Sequence, residues 1–227
     1  MGLFDLKLPG RLILASGSPR RVELVREMGI EPAVLPQDVD ETPLPDEGAR
    51  ALVTRLAQLK ATSALADARE GDIILAADTT VAIHDKELGK PAGEAEARAM
   101  LTELSGLTHE VYTGVCLIRK GNPNQKVSFS EVTEVEFYDL SEEDIAAYVA
   151  TGEPLDKAGA YGIQGLGRAL VREIRGDYFN VVGLPVAHTL RELARLAEAK
   201  AEPGRTQIRQ IREGLAARTR RAPPLYQ

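Results

Sequence analysis

Four stretches of this chain combine residue types that chemistry uses. Leu12-Ile-Leu-Ala-Ser-Gly-Ser-Pro-Arg-Arg21 reads as a buried strand, a turn and a helix start. Ser18 suits the N-cap and Pro19 the first helical position, so free backbone N–H groups and the positive end of the helix dipole meet at this turn. Arg20 and Arg21 add two positive charges where cations are ordinarily disfavoured. A polyanion held between them and the Ser16–Ser18 turn would account for that, with Gly17 admitting close approach; an ordinary Ser-capped helix is the bland alternative. Lys60 shares the apolar stripe of Val53 and Leu56, so it either snorkels to a rim or points into a site. Asp78 ends the apolar run Ile73–Ala77, and the C-terminal end of a buried strand is where α/β folds place ligands. Thr79 follows it, and Lys90-Pro91 comes after an expected hairpin. Last, Asp156-Lys-Ala-Gly-Ala-Tyr-Gly-Ile-Gln-Gly-Leu-Gly167 packs glycines too densely for an inert loop, and they suggest close backbone approach around the amide of Gln164. Its spacing is not that of a dinucleotide-binding fingerprint.

The elements that must position these residues alternate along the chain. Arg11–Ala15 and Ile73–Ala77 read as buried strands, the second stopping at Asp78, with Val81–Ile83 extended beyond it. A helix is expected from Ser18 to about Gly29, and another, capped by Asp46, to about Leu65. Glu94–Leu104 reads as a helix, His109–Arg119 and Lys126–Phe137 as strands, and Ser141-x-x-Asp144 as a capping box opening a helix closed by Gly152. Ala169–Ile174 and Asn180–Val182 read as strands around a Gly176-Asp177 turn, and Pro185 opens a last helix to about Lys200. Interleaved strands and helices argue an α/β domain with a covered sheet.

Taken together, Ser16-Gly-Ser-Pro-Arg-Arg21, Ala77-Asp78-Thr79, Lys90-Pro91, Leu104-Ser-Gly-x-x-His109 and Asp156–Gly165 resemble the Maf family of nucleotide pyrophosphatases over residues 11–197. The resemblance implies an inosine-triphosphatase-like α/β fold, a long mixed sheet flanked by helices with a central cleft between two lobes. It also implies hydrolysis of a nucleoside triphosphate to the monophosphate and pyrophosphate with a divalent cation, Mg²⁺ or Mn²⁺. By the same resemblance Asp78 is the catalytic carboxylate, and Arg20, Thr79 and Gln164 are specificity positions. Ser16, Ser18, Arg21, Lys60 and Lys90 would surround the phosphates, and Glu41 with Asp78 would hold the metal. A carboxylate is a weak base at neutral pH unless burial raises its pKa, so Asp78 could serve as base or as metal ligand. Thr79 and Gln164 look like the branch that takes dTTP and UTP; a sister branch with an acidic residue at the position of Gln164 prefers 7-methyl-GTP. Another nucleotide, including a modified pyrimidine triphosphate, is the alternative within the same chemistry. Regulation of cell division through protein contacts, suggested by the family's septum-formation name, is the alternative of another class. An interaction module would not need Arg20, Asp78, Lys90 and Gln164 together.

Composition narrows the partners. The 227 residues are 44 % apolar and 27 % charged, near globular averages, and no run of 18 apolar residues exists to span a membrane. The start lacks the features of a secretory signal, so the expected location is the cytoplasm. From Pro203 onward six arginines face one glutamate, a net +5, which leaves −11 for the rest of a chain of net charge −6. So acidic a body, without Trp, is not expected to form a stable nucleic-acid complex. Residues 1–200 are therefore read as one domain and 201–227 as a basic tail, disordered or a short helix; a homodimer is implied by the resemblance. Three scattered histidines (84, 109, 188) lack zinc spacing, and Cys116 reads as an inert core residue.

Overall fold

The computed structural model describes residues 6–84, 86–121 and 124–198. Its centre is a mixed seven-stranded sheet in the order β2-β1-β3-β5-β6-β7, with β4 paired to β3 off that path. The strands are β1 (Leu12–Leu14), β2 (Ala33–Val34), β3 (Ile73–Ile83), β4 (Lys86–Leu88), β5 (Thr108–Arg119), β6 (Gln125–Phe137) and β7 (Val171–Arg175). β1 runs parallel to β2 and β3, and the remaining pairs are antiparallel. The helices are α1 (Pro19–Glu27), α2 (Ala49–Ser63), α3 (Glu94–Leu104), α4 (Glu142–Ala150), α5 (Tyr178–Val182) and α6 (Val186–Glu198). This is the α/β arrangement with a helix-flanked mixed sheet that the alternating pattern predicts. The basic tail, residues 201–227, lies outside the described residues.

Strand periodicity distributes the core. Leu12, Leu14, Ile73, Leu75 and Ala77 face one side and pack with Leu24 of α1 and Leu193 of α6. Their neighbours Ile13, Ile74 and Ala76 face the other side and meet Ala57 and Ala61 of α2. Farther along the same long strands, Val81, Val111, Val135 and Phe137 form a second core with α3 and α4. β3, β5 and β6 thus carry two cores end to end, and the cleft opens where one gives way to the other. There β3 changes partner along one edge: β1 covers Ile73–Leu75 and β4 covers Val81–Ile83, leaving Ala76–Thr80 without a strand on that side. On the opposite edge β5 is continuous, and Asp78 lies across from Gly114. A Cβ on Gly114 would sit 2.3 Å from the Val53 carbonyl oxygen, so its absence lets α2 lie directly on the sheet.

Three local expectations are corrected. β3 does not stop at Asp78: its ladder with β5 runs from Ile73 to Ala82, and the polar residues mark the cleft rather than a strand end. Asn180–Val182 is helical, because Asp177 accepts from the Phe179 amide and buried Asn180 donates to Val111 O and Thr133 Oγ1. A short apolar run without clear period fits strand or helix equally. Asp46 does not cap α2; Pro45 and Asp46 form the centre of a turn closed by Glu47 N to Leu44 O, with Asp46 at φ 58°, and Gly48 is the N-cap.

Candidate active site

The cleft encloses about 730 Å³ and is walled by the strand–helix turn before α1, Glu41, α2, the open edge of β3, Lys90, the glycine-rich loop and the end of α5. All ten residues singled out from sequence lie on its wall: Ser16, Ser18, Arg20, Arg21, Glu41, Lys60, Asp78, Thr79, Lys90 and Gln164. Asp78 and Thr79 are adjacent in β3 and therefore serve opposite faces of the sheet.

On the α2 face, Asp78 continues the row Ile74–Ala76 and meets Lys60. The Lys60 ammonium is buried and lies 2.6 Å from both Asp78 Oδ1 and Glu41 Oε1. Lys60 thus points into the site instead of snorkelling to the rim. Two carboxylates already converge on one positive charge here, a hard-oxygen set of the kind Mg²⁺ or Mn²⁺ uses.

On the other face, Arg21 donates through Nε to Gly183 O (2.8 Å), through Nη1 to Ser16 Oγ (3.1 Å) and through Nη2 to Thr79 Oγ1 (2.9 Å). Burial pushes its pKa down against the attraction of Asp78, but a guanidinium stays charged. Thr79 Oγ1 lies 2.8 Å from Thr113 Oγ1, whose own proton goes to Asn180 O at 3.0 Å. Thr79 must therefore donate to Thr113, and its remaining capacity is one lone pair. Ser16 Oγ also accepts from the Ser18 amide, and Ser18 Oγ caps α1 by accepting from Arg21 N. Both serine protons remain available to an anion at the helix end.

At the mouth, Arg20 reaches across the cleft to Asp156 (3.3 Å), which also pairs with Lys157 (2.7 Å). Burial would raise the Asp156 carboxyl, but the two cations outweigh it and hold it below the usual range. Among the described residues Lys90 has no ionic partner, and the Gln164 side chain makes no hydrogen bond to protein.

Comparison with known proteins matches residues 11–206 to the model of the Maf-like protein family. This chain belongs to that family. Curated relatives in it include the dTTP/UTP pyrophosphatase of Halalkalibacterium halodurans, 51 % identical over 80 % of this chain and 94 % of that protein. The dTTP/UTP pyrophosphatase of Bacillus cereus is likewise 51 % identical, over 81 % of this chain and 94 % of its own length. Among solved structures, the nucleoside-triphosphatase (dITP/XTP pyrophosphatase) of Mycobacterium abscessus matches at a TM-score of 0.41 and 15 % identity, covering 84 % of this chain and all of that one.

This Maf-like cleft also holds residues that sequence reading passed over. Lys157 and Glu87 line it, and buried Thr113 and Asn180 stand behind Thr79. Thr113 and Asn180 carried no signal, since one lies in an apolar strand and the other in a run misread as strand. Lys157 stood inside a quoted motif, and only its position on the wall marks it. The wall thus presents five cations (Arg20, Arg21, Lys60, Lys90, Lys157) and four carboxylates (Glu41, Asp78, Glu87, Asp156). Among the described residues no group of three or more His, Cys, Asp or Glu is assembled to hold a metal. His109 is buried, its imidazole driven down to about 4 by desolvation, and shares a 2.8 Å hydrogen bond with Tyr161 Oη. Cys116 is buried, and desolvation pushes its thiol up to about 11.

Proposed function

We propose that this chain hydrolyses nucleoside triphosphates to the monophosphate and pyrophosphate, with dTTP and UTP as its substrates. The observation that carries the reading is the convergence of Asp78, the four cations Arg20, Arg21, Lys60 and Lys90, and a Gln164 amide uncommitted among the described residues on one cleft. Half-identity to relatives named dTTP/UTP pyrophosphatase over most of both chains supports it.

The residues divide the work. The end of α1, Ser16, Ser18, Arg20, Arg21, Lys60 and Lys90 receive the triphosphate, and their charges meet the growing negative charge of the departing pyrophosphate. Water attacks the α-phosphorus as the bond to the bridging oxygen of the β-phosphate breaks. Asp78 Oδ2, the oxygen not taken by Lys60, accepts the proton of that water. Five cations against four carboxylates leave the wall about one charge positive, whereas a triphosphate carries about four negative charges. Asp78 and Glu41 are the residues that would hold Mg²⁺ or Mn²⁺, the remaining ligands coming from phosphate and water. When bound, such a cation would supply about two of the roughly three missing positive charges and polarise the phosphoryl oxygens. Homodimerisation and a cytoplasmic location complete the proposal.

The deciding measurement is pyrophosphate release across all common and methylated nucleoside triphosphates, each with Mg²⁺, with Mn²⁺ and with chelator. Release from dTTP and UTP well above all others, and dependent on metal, is expected. A preference for 7-methyl-GTP would overturn the substrate assignment, and release of orthophosphate in place of pyrophosphate would overturn the chemistry.

A further inference from the structure

The glycines of the glycine-rich loop make room for contacts within the protein. A Cβ on Gly165 would lie 2.6 Å from Glu153 Oε2, one on Gly162 would lie 2.7 Å from Lys157 Cε, and one on Gly167 would lie 2.5 Å from Tyr148 Oη. The loop is wrapped onto these side chains, and two of them bond to its backbone. The Glu153 carboxylate accepts from Leu166 N (2.9 Å) and Gly167 N (3.0 Å), and from Tyr148 Oη (2.9 Å). Tyr148 Oη in turn accepts from Gly162 N (3.1 Å). The residues before and after Ile163-Gln164-Gly165 are therefore anchored by one connected pair of side chains rooted in and just after α4. Burial alone would raise the Glu153 carboxyl, yet these donors and Lys157 hold it below the usual range, so it bonds as an anion. Among the described residues the Gln164 side chain has no hydrogen-bond partner, so its backbone is what aims it into the cleft.

We infer that Glu153, seconded by Tyr148, is a positioning residue for base selection: it fixes the loop that presents Gln164 to the base. This rests on the reading above in which Gln164 reads the uracil or thymine edge. Guanine tests it well, because its N1–H donor and O6 acceptor repeat the uracil N3–H and O4 pattern on a purine edge that stands farther from the ribose, whereas a flipped amide would serve cytosine as well as uracil. A loop held in register discriminates between the two; a loose one does not.

The test compares kcat and KM for UTP and GTP in the full chain, in Gln164→Ala, in Glu153→Gln and in Tyr148→Phe. Glu153→Gln turns a donor toward one of two backbone N–H groups and removes the charge. The expected result is a fall of roughly 10-fold in the UTP-over-GTP ratio of kcat/KM. It is carried by a rise in KM for UTP while kcat stays within about threefold. Tyr148→Phe, which keeps the ring and loses one oxygen, shifts the ratio the same way by less, and it alone decides the matter if Glu153→Gln does not fold. The inference is overturned if Gln164→Ala lowers the ratio while the anchoring variants leave it at the wild-type value. It is equally overturned if they depress both substrates alike through kcat. An unchanged ratio in Gln164→Ala would instead remove Gln164 from base reading, and this inference with it.

Discussion

Asp78 sits 2.6 Å from Lys60, which is shared with Glu41, and the two carboxylates have different exposures. Asp78 is nearly enclosed, whereas Glu41 is more than half exposed at its side chain. Their replacement should therefore differ in kind. Asp78→Asn is close to isosteric and should lower kcat at least about 100-fold at every metal concentration with melting unchanged. Glu41→Gln should instead raise the metal concentration for half-maximal rate roughly 10-fold and recover at saturation. Metal titrations of both variants check this, and recovery of Asp78→Asn by excess metal would take away its role as base. Under the proposed function Gln164 serves specificity. Uracil and thymine present N3–H between two carbonyl oxygens, and one amide answers a donor and a neighbouring acceptor together. Gln164→Glu faces O4 with an acceptor-only anion, so kcat/KM for dTTP and UTP should fall roughly 10- to 100-fold, with any gain on 7-methyl-GTP. Equal losses on all nucleotides would assign Gln164 to the triphosphate.

β3 and α2 place these groups through backbone contact. β3 holds its ladder with β5 throughout and loses a neighbour only across Ala76–Thr80, so alternation sends Asp78 to one face and Thr79 to the other at the same opening. α2 brings Lys60 to Asp78 because it lies on the sheet at Gly114, where the Val53 carbonyl occupies the place of a Cβ. Neither backbone can yield without moving the helix or the ladder. Gly114→Ala should cost about 1–3 kcal/mol of stability, as overpacking in a tight core does. It should also lower kcat/KM by displacing Lys60, which urea unfolding and steady-state kinetics on one preparation would register. Wild-type stability and rate in that variant would mean that α2 is free to slide. The arginine at the α1 start is a second case of positioning: Arg21 spends three of its five N–H groups on Gly183, Ser16 and Thr79 and so braces α1 against β3 while adding its charge to the cleft.

For the molecule as a whole, two buried groups contribute to the response to acid. His109 has its imidazole lowered from 6.5 to about 4 by desolvation, next to Phe137 and Tyr161. Between those values the unfolded chain binds a proton that the folded chain refuses. Its contribution is therefore complete above about pH 6.5 and is lost as the pH falls toward 4, amounting to about 3 kcal/mol. Asp72 works lower. Burial would raise it, but the Arg11 side chain and the Arg11 and Arg69 amides bring it from 3.8 to about 2. Its contribution is present above 3.8 and disappears as the pH drops through 2. Urea midpoints measured from pH 7 to 4 should decline, and His109→Gln should flatten that decline. The basic C-terminal segment is a separate matter. The family match ends at residue 206, and deletion of the residues beyond it, Gln207–Gln227, should leave kcat/KM within about twofold. A lower rate or a smaller oligomer after truncation would assign that segment a structural part.

Local chemistry made much of this legible beforehand. The Ser18-Pro19 start of α1, the capping box at Ser141 and Asp144, and the period of Glu94–Leu104 are settled by residues one turn apart, and the structure contains each as expected. The strand β1, the long hairpin β5–β6 and nine of the ten cleft residues were likewise visible, because motif residues announce themselves by type and spacing, whereas Glu41 came only through the family resemblance. What remained hidden depends on partners distant in the chain. Whether an apolar run ends at Asp78 or continues is decided by β5, some 35 residues on, which goes on pairing where hydrophobicity stops. Asn180–Val182 becomes helical because Asn180 finds Val111 and Thr133. The loop glycines announced close approach, but only the folded chain discloses that what approaches is Glu153, Lys157 and Tyr148. Sequence determines which groups carry charge, donors and turns, since these are covalent properties. Tertiary structure decides which of them meet, since burial and pairing are relations between residues that the chain brings together only by folding.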